Sequence, residues 1–232
     1  MKPIISTFKN NRFYFLSLFF FLVTALCVVA IYGGEAVFID SHEPHPVWLN
    51  IFFINYTFMG DGFFALVLAA FYFFYLDKKK TGALLFSSFF LAELIVQLVK
   101  NSFNISTFQL FIEQGQYLFL NEKMAVIHEQ TFPSGHTAIA FALTMVFIIK
   151  SPKRQLQIPA FLAALLLGFS RIYLARDSLL NIAAGAFIGS SCSLFVYVVI
   201  KYAGTRSIAP AIKSFFSIHT SAPNRINTSS HH

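Results

Sequence analysis

Hydrophobic positions in this chain come in long unbroken runs, neither alternating as in a half-buried strand nor confined to one stripe of a helix. A run of roughly 20 apolar residues is what an α-helix needs to cross a bilayer. Six such runs stand out: Phe13–Tyr32, Leu49–Leu76, Gly82–Val99, Gly135–Ile149, Ile158–Leu174 and Leu179–Ile200. The second is longer than one crossing requires, which predicts a tilted helix or first turns lying in the interface. The fourth and fifth are short. The first exceeds the roughly 7–15 apolar residues of a secretory signal and no small-x-small cleavage site follows it, so it reads as a membrane anchor. The predicted fold is an all-α integral membrane protein, a six-transmembrane-helix bundle over residues 13–204. A cytoplasmic N-terminus, 1–12, precedes it and a flexible cytoplasmic tail, 205–232, follows.

Composition agrees with that picture. Of 232 residues, 56% are hydrophobic and only 12% charged, against roughly 25% charged in soluble domains. Cys27 and Cys192 lie inside apolar runs and imply neither a disulfide nor a metal framework. The net charge of +7 is explained by where the charges fall. Lys2, Lys9 and Arg12 precede the first run and Lys78, Lys79 and Lys80 follow the second. Lys150, Lys153 and Arg154 follow the fourth; Lys201, Arg206, Lys213 and Arg225 follow the sixth. The first two alternate loops carry Glu35, Asp40 and Glu43, then Glu113, Glu122 and Glu129, with Lys123 their only interior basic residue. That is a positive-inside pattern with both ends cytoplasmic. It removes nucleic acid as a partner and leaves membrane lipids for a multi-pass protein; the expected location is a bacterial inner membrane, with the site facing the periplasm or exterior.

The candidate chemistry starts at Pro133-Ser134-Gly135-His136, which opens the fourth run. A helix N-terminus offers free N–H groups and a positive dipole end to an oxyanion. Gly135 allows close approach to the backbone, Ser134 adds a hydroxyl, and His136 adds a group able to move a proton near neutral pH. On the predicted topology, Lys100, Ser170, Arg171, Asp177 and Asn181 reach the same outer face as Ser134 to His136. Asp61, between Gly60 and Gly62, and Glu93 lie within spans, where ionisable groups face a bundle interior or cavity. Glu93, Gln97 and Lys100 share one helical face, a polar stripe that reads first as a network orienting Lys100 and second as a ligand or proton path.

These blocks resemble the type-2 phosphatidic acid phosphatase superfamily, the membrane relatives of the vanadium haloperoxidases. The family carries Lys-x6-Arg-Pro, Pro-Ser-Gly-His and Ser-Arg-x5-His-x3-Asp. Here the second block is intact, and so is Ser170-Arg171 of the third. The resemblance implies that Lys100, Ser134, Gly135 and Arg171 hold phosphate oxygens and that His136 protonates the leaving group. It implies no cofactor or metal, and a ligand that is a lipid or polyprenyl phosphate.

Three departures bear on chemistry. Asp177 stands where the family has its nucleophilic His, Asn181 where it has the Asp that orients that His, and Thr107-Phe108 where it has Arg-Pro. A carboxylate at 177 can in principle attack phosphorus, as in aspartyl-phosphate enzymes. It also repels a phosphate, since two like charges about 4 Å apart cost roughly 4 kcal/mol at an effective dielectric near 20. Pairing of Asp177 with neighbouring Arg176 would offset part of this. Two readings follow: a lipid phosphate phosphatase-like protein with altered or lost His-nucleophile catalysis, or a pseudoenzyme that binds lipid phosphate or a partner protein. His128 is a spare imidazole without the family's spacing, and His42 and His45 read as an exposed loop pair rather than a metal site.

Overall fold

A computed structural model of the chain describes residues 7–32, 46–103, 132–151, 153–174 and 176–205. His42, His45, Thr107, Phe108 and His128 lie outside them, as do Lys2, Arg206 and the rest of 206–232. Every element among the described residues is helical. The α-helices in order are α1 (Arg12–Tyr32), α2 (Val47–Thr57), α3 (Gly62–Ala70), α4 (Lys79–Phe103), α5 (Gly135–Lys150), α6 (Gln157–Tyr173) and α7 (Leu179–Thr205), with short 3-10 turns at Phe58–Gly60 and Arg154–Leu156 and a π-helical turn at Phe71–Tyr75. The chain divides into two compact units, Met1–Val198 and Val199–His232, the second described only as far as Thr205.

Four helical stretches are long and apolar enough to cross a membrane alone, and a fifth results if one bent pair counts as a single span. The bent pair is the long second run. It breaks by 59° between Val47–Gly60 and Gly62–Tyr75, so the tilt expected for it is replaced by a kink. The cause is local. Asp61 takes an extended conformation (φ −79°, ψ 144°) and its side chain accepts a hydrogen bond from Phe63 N at 2.7 Å, capping α3 as a new helix. The fourth expected span, α5, has only 16 residues and falls below the length that qualifies alone.

That short helix is the centre of the first unit. Ten of its residues are buried, on every face, as a helix enclosed by other helices requires. Ile139, Leu143 and Val146 pack with Ala65 and Ala69 of α3 and Leu85 of α4. Phe141, Met145 and Ile148 meet Tyr14 and Leu18 of α1 and Phe161 of α6. Toward α7 the contact is backbone to backbone. A Cβ added at Gly189 would lie 2.0 Å from Ala138 O, and one at Gly185 2.5 Å from Ser134 O. Ser193 Oγ, one turn further along, donates to Ala142 O at 2.8 Å. Small residues at i, i+4, i+8 against Ala138 and Ala142 form the seam by which membrane helices approach closely without a hydrophobic drive between them. Outward faces are apolar and exposed, Phe20 at 64% and Phe74 at 80% among them, as lipid contact allows.

Candidate functional site

Ser134, immediately before α5, is 2% exposed and caps that helix, its Oγ accepting from Thr137 N at 3.4 Å. The same Oγ donates to Asp177 Oδ2 at 2.8 Å and lies 3.0 Å from Thr137 Oγ1. Ser134 N donates to the backbone oxygen of Asn181, in the first turn of α7, at 3.2 Å. Arg171, in the last turn of α6, donates from Nε to the same Asp177 Oδ2 at 2.7 Å. Both partners are buried, Arg171 at 9% and Asp177 at 5% exposure. One carboxylate oxygen therefore takes two of the strongest donors that the sequence assigned to an incoming phosphate.

The partner of Asp177 is thus Arg171, not Arg176. The backbone N–H groups of Arg176 and Asp177 both donate to Arg171 O, at 2.8 and 3.3 Å. The chain after α6 curls back on itself, putting residue 177 against residue 171 and leaving Arg176 exposed. Ser178 then starts α7, its Oγ accepting from Asn181 N at 3.2 Å. Ser178 and Thr137 are two hydroxyl residues of this site that the motif comparison passes over; a Ser or Thr at a helix start was the signal that points to both.

Two polar groups here have no hydrogen-bond partner among the described residues: Arg171 Nη1 and Asn181 Nδ2. Both are donors, and an orphaned buried donor costs about 1–3 kcal/mol. Among the described residues no hydrogen bond joins the Asn181 side chain to Asp177; its backbone oxygen takes the bond from Ser134 N.

His136 lies in the first turn of α5, its side chain one-third exposed, with Nε2 4.0 Å from Asp61 Oδ2. That carboxylate spends its other oxygen on the α3 cap, so the break in the second span aims Asp61 at the imidazole. Gly60 permits this approach: a Cβ there would sit 2.7 Å from His136 O. Glu93 of α4 closes the third side. Gln97 Nε2 donates to Glu93 Oε1 at 2.6 Å, and a Cβ on Gly135 would lie 3.2 Å from Glu93 Oε2. On the polar stripe of α4, Gln97 thus bonds Glu93 beside the start of α5, and among the described residues no hydrogen bond of the stripe reaches Lys100. Lys100 is half-buried near the end of α4, and no hydrogen bond or ion pair joins it to Ser134, His136 or Arg171 among the described residues.

Three consecutive residues, Ser134, Gly135 and His136, thus each face a carboxylate from a different element: Asp177, Glu93 and Asp61. A helix N-terminus stabilises nearby negative charge by about 0.3–1 kcal/mol per group, and here the chain supplies that charge itself. The three carboxylates do not converge on a point, and no group of three or more His, Cys, Asp or Glu among the described residues is placed to hold a metal ion.

A family model described as the PAP2 superfamily matches residues 81–205, from the first turn of α4 to the end of α7. No curated protein matches the sequence. Among solved structures, Aquifex aeolicus LpxE is similar at 25% identity and a TM-score of 0.54, over 70% of this chain and 93% of that one. The first transmembrane PAP2-type phosphatidylglycerolphosphate phosphatase from Bacillus subtilis is similar at 22% identity and a TM-score of 0.55, over 83% and 96%.

Proposed function

The chain belongs to the PAP2 superfamily and is a multi-pass membrane protein of that family; from that premise we propose that it is a lipid or polyprenyl phosphate phosphatase-like protein without standard His-nucleophile catalysis. The observation that carries this reading is Asp177. It stands at the nucleophile position, and its Oδ2 is bonded to Arg171 and Ser134. A carboxylate oxygen so engaged has its lone pairs directed at the donors, and attack on phosphorus would require it to leave them. With Asn181 at the orienting position, no His–carboxylate pair stands there for the family's reaction.

In this proposal the six apolar runs make six crossings of one membrane domain over residues 13–204, with both ends cytoplasmic. The site faces the outer side, the periplasm in a bacterial cell. Lys100, Ser134, Gly135 and Arg171 are the phosphate-binding set, and His136 is the proton donor. The lipid nature of the ligand is supported by a polar cluster at the end of a bundle whose outward faces are exposed and apolar.

The test is phosphate release from a panel of lipid and polyprenyl phosphates by purified protein, beside His136→Ala. Release near background, unchanged by His136→Ala, is expected. Asp177→His alone should restore little, because residues of one catalytic unit are not additive. Asp177→His with Asn181→Asp, Thr107→Arg and Phe108→Pro should restore far more. Robust turnover by the unaltered protein, abolished by Asp177→Asn and passing through a hydroxylamine-sensitive phosphoenzyme, would instead make Asp177 an acyl-phosphate nucleophile.

A further inference from the structure

We propose that Asp177 is the specificity-determining residue of the anion site, an internal carboxylate seated on the phosphate-binding groups that a phosphate monoester must displace to bind. This rests on the lipid-phosphate reading above and adds to it what decides entry. The geometry is specific. Arg171 Nε and Ser134 Oγ both end on the single atom Asp177 Oδ2, at 2.7 and 2.8 Å. A guanidinium grips an oxyanion best with two parallel N–H groups, yet here Nη1 has no partner among the described residues. Asn181 Nδ2, in the first turn of α7, likewise has none and is 98% buried, against 2% exposed.

The mismatch is one of valence. The carboxylate engages the donors through one oxygen and leaves two buried donors over, whereas a phosphate monoester presents three non-bridging oxygens. Phosphate and Asp177 cannot share Arg171 and Ser134 without bringing like charges together, so binding and retention of the internal ion pair exclude each other. His136 on α5 feels both members of the pair, and also Asp61 and Arg176; Glu93 lies beside Gly135. None of them takes the place of Arg171 in bonding Asp177.

The experiment measures binding by detergent-solubilised protein of inorganic phosphate, dioctanoyl phosphatidic acid and dioctanoylglycerol. Asp177→Asn keeps the shape of residue 177 and one acceptor oxygen for Arg171 and Ser134, while removing its charge. It should bind both phosphates at least about tenfold more tightly than the unaltered protein, with dioctanoylglycerol unchanged. Adding Arg171→Ala should abolish the gain. Asp177→Ser carries the same expectation should Asp177→Asn not fold. A gain for phosphatidic acid alone assigns the site to lipid headgroups; an equal gain for inorganic phosphate assigns it to phosphate itself, and both support displacement. Equal, tight phosphate binding by the unaltered protein and Asp177→Asn overturns the internal-occupant role and leaves the lipid-phosphate reading standing. A gain that survives Arg171→Ala overturns it too. Absence of phosphate binding by every variant overturns both.

Discussion

Arg171 and Asp177 form a buried pair, and its residues behave differently removed singly or together. Taking away one partner strands the other charge in a site with little water. Arg171→Ala should therefore cost about 3–5 kcal/mol of stability, read as a lower melting temperature in detergent. Arg171→Ala with Asp177→Ala should recover much of that loss, because the two effects are coupled. A double variant whose loss equals the sum of the two singles would show that the pair is not coupled. Much of the residue scale was legible beforehand. The sequence singled out Pro133-Ser134-Gly135-His136 and Ser170-Arg171, and the fold brings Ser134 and Arg171 together on Asp177. The pairing was not legible, since Arg176 is next to Asp177 in sequence and Arg171 is six positions away. What decides is the backbone turn after α6, whose two N–H groups converge on Arg171 O. Side-chain patterns do not report that turn.

At the scale of elements, the seam between α5 and α7 is a close backbone approach. Gly189→Ala should destabilise the protein by about 1–3 kcal/mol, since its new methyl meets the Ala138 carbonyl, which is backbone and cannot swing aside. Gly62→Ala is the control: the nearest atom to its Cβ is 3.9 Å away, so no packing loss is expected. Melting temperatures of the two variants decide the point, and equal losses would contradict the seam. The seam glycines at 185 and 189 were not singled out in the sequence, where they are two small residues in an apolar run. The break at Asp61 was half readable. Two glycines around an acid announced close packing, but a hydropathy run has no feature that distinguishes one tilted helix from two capped ones. The capping carboxylate makes the difference.

For the whole molecule, the alternation of basic and acidic loops predicts an orientation. Single cysteines placed at Ser41 and Gln114 should react with an impermeant reagent added outside, and one at Ser151 should not. Labelling of position 151 from outside would reverse or break the topology. The all-helical class was plain from the runs of apolar residues, while the number of crossings was not, because α5 is enclosed and needs no lipid-matched length.

That enclosure has a consequence for where the polar cluster meets the bilayer. Sixteen residues rise about 24 Å, roughly 6 Å less than the hydrocarbon layer. At one end, exposed Lys150 belongs at headgroup level. On the proposed topology the shortfall falls at Ser134, which is then set below the ends of the longer α4 and α7. On that proposed reading, a lipid phosphate already in the leaflet would reach Ser134 by lowering its headgroup a few ångströms. A water-soluble phosphate has to descend from above and shed its hydration on the way.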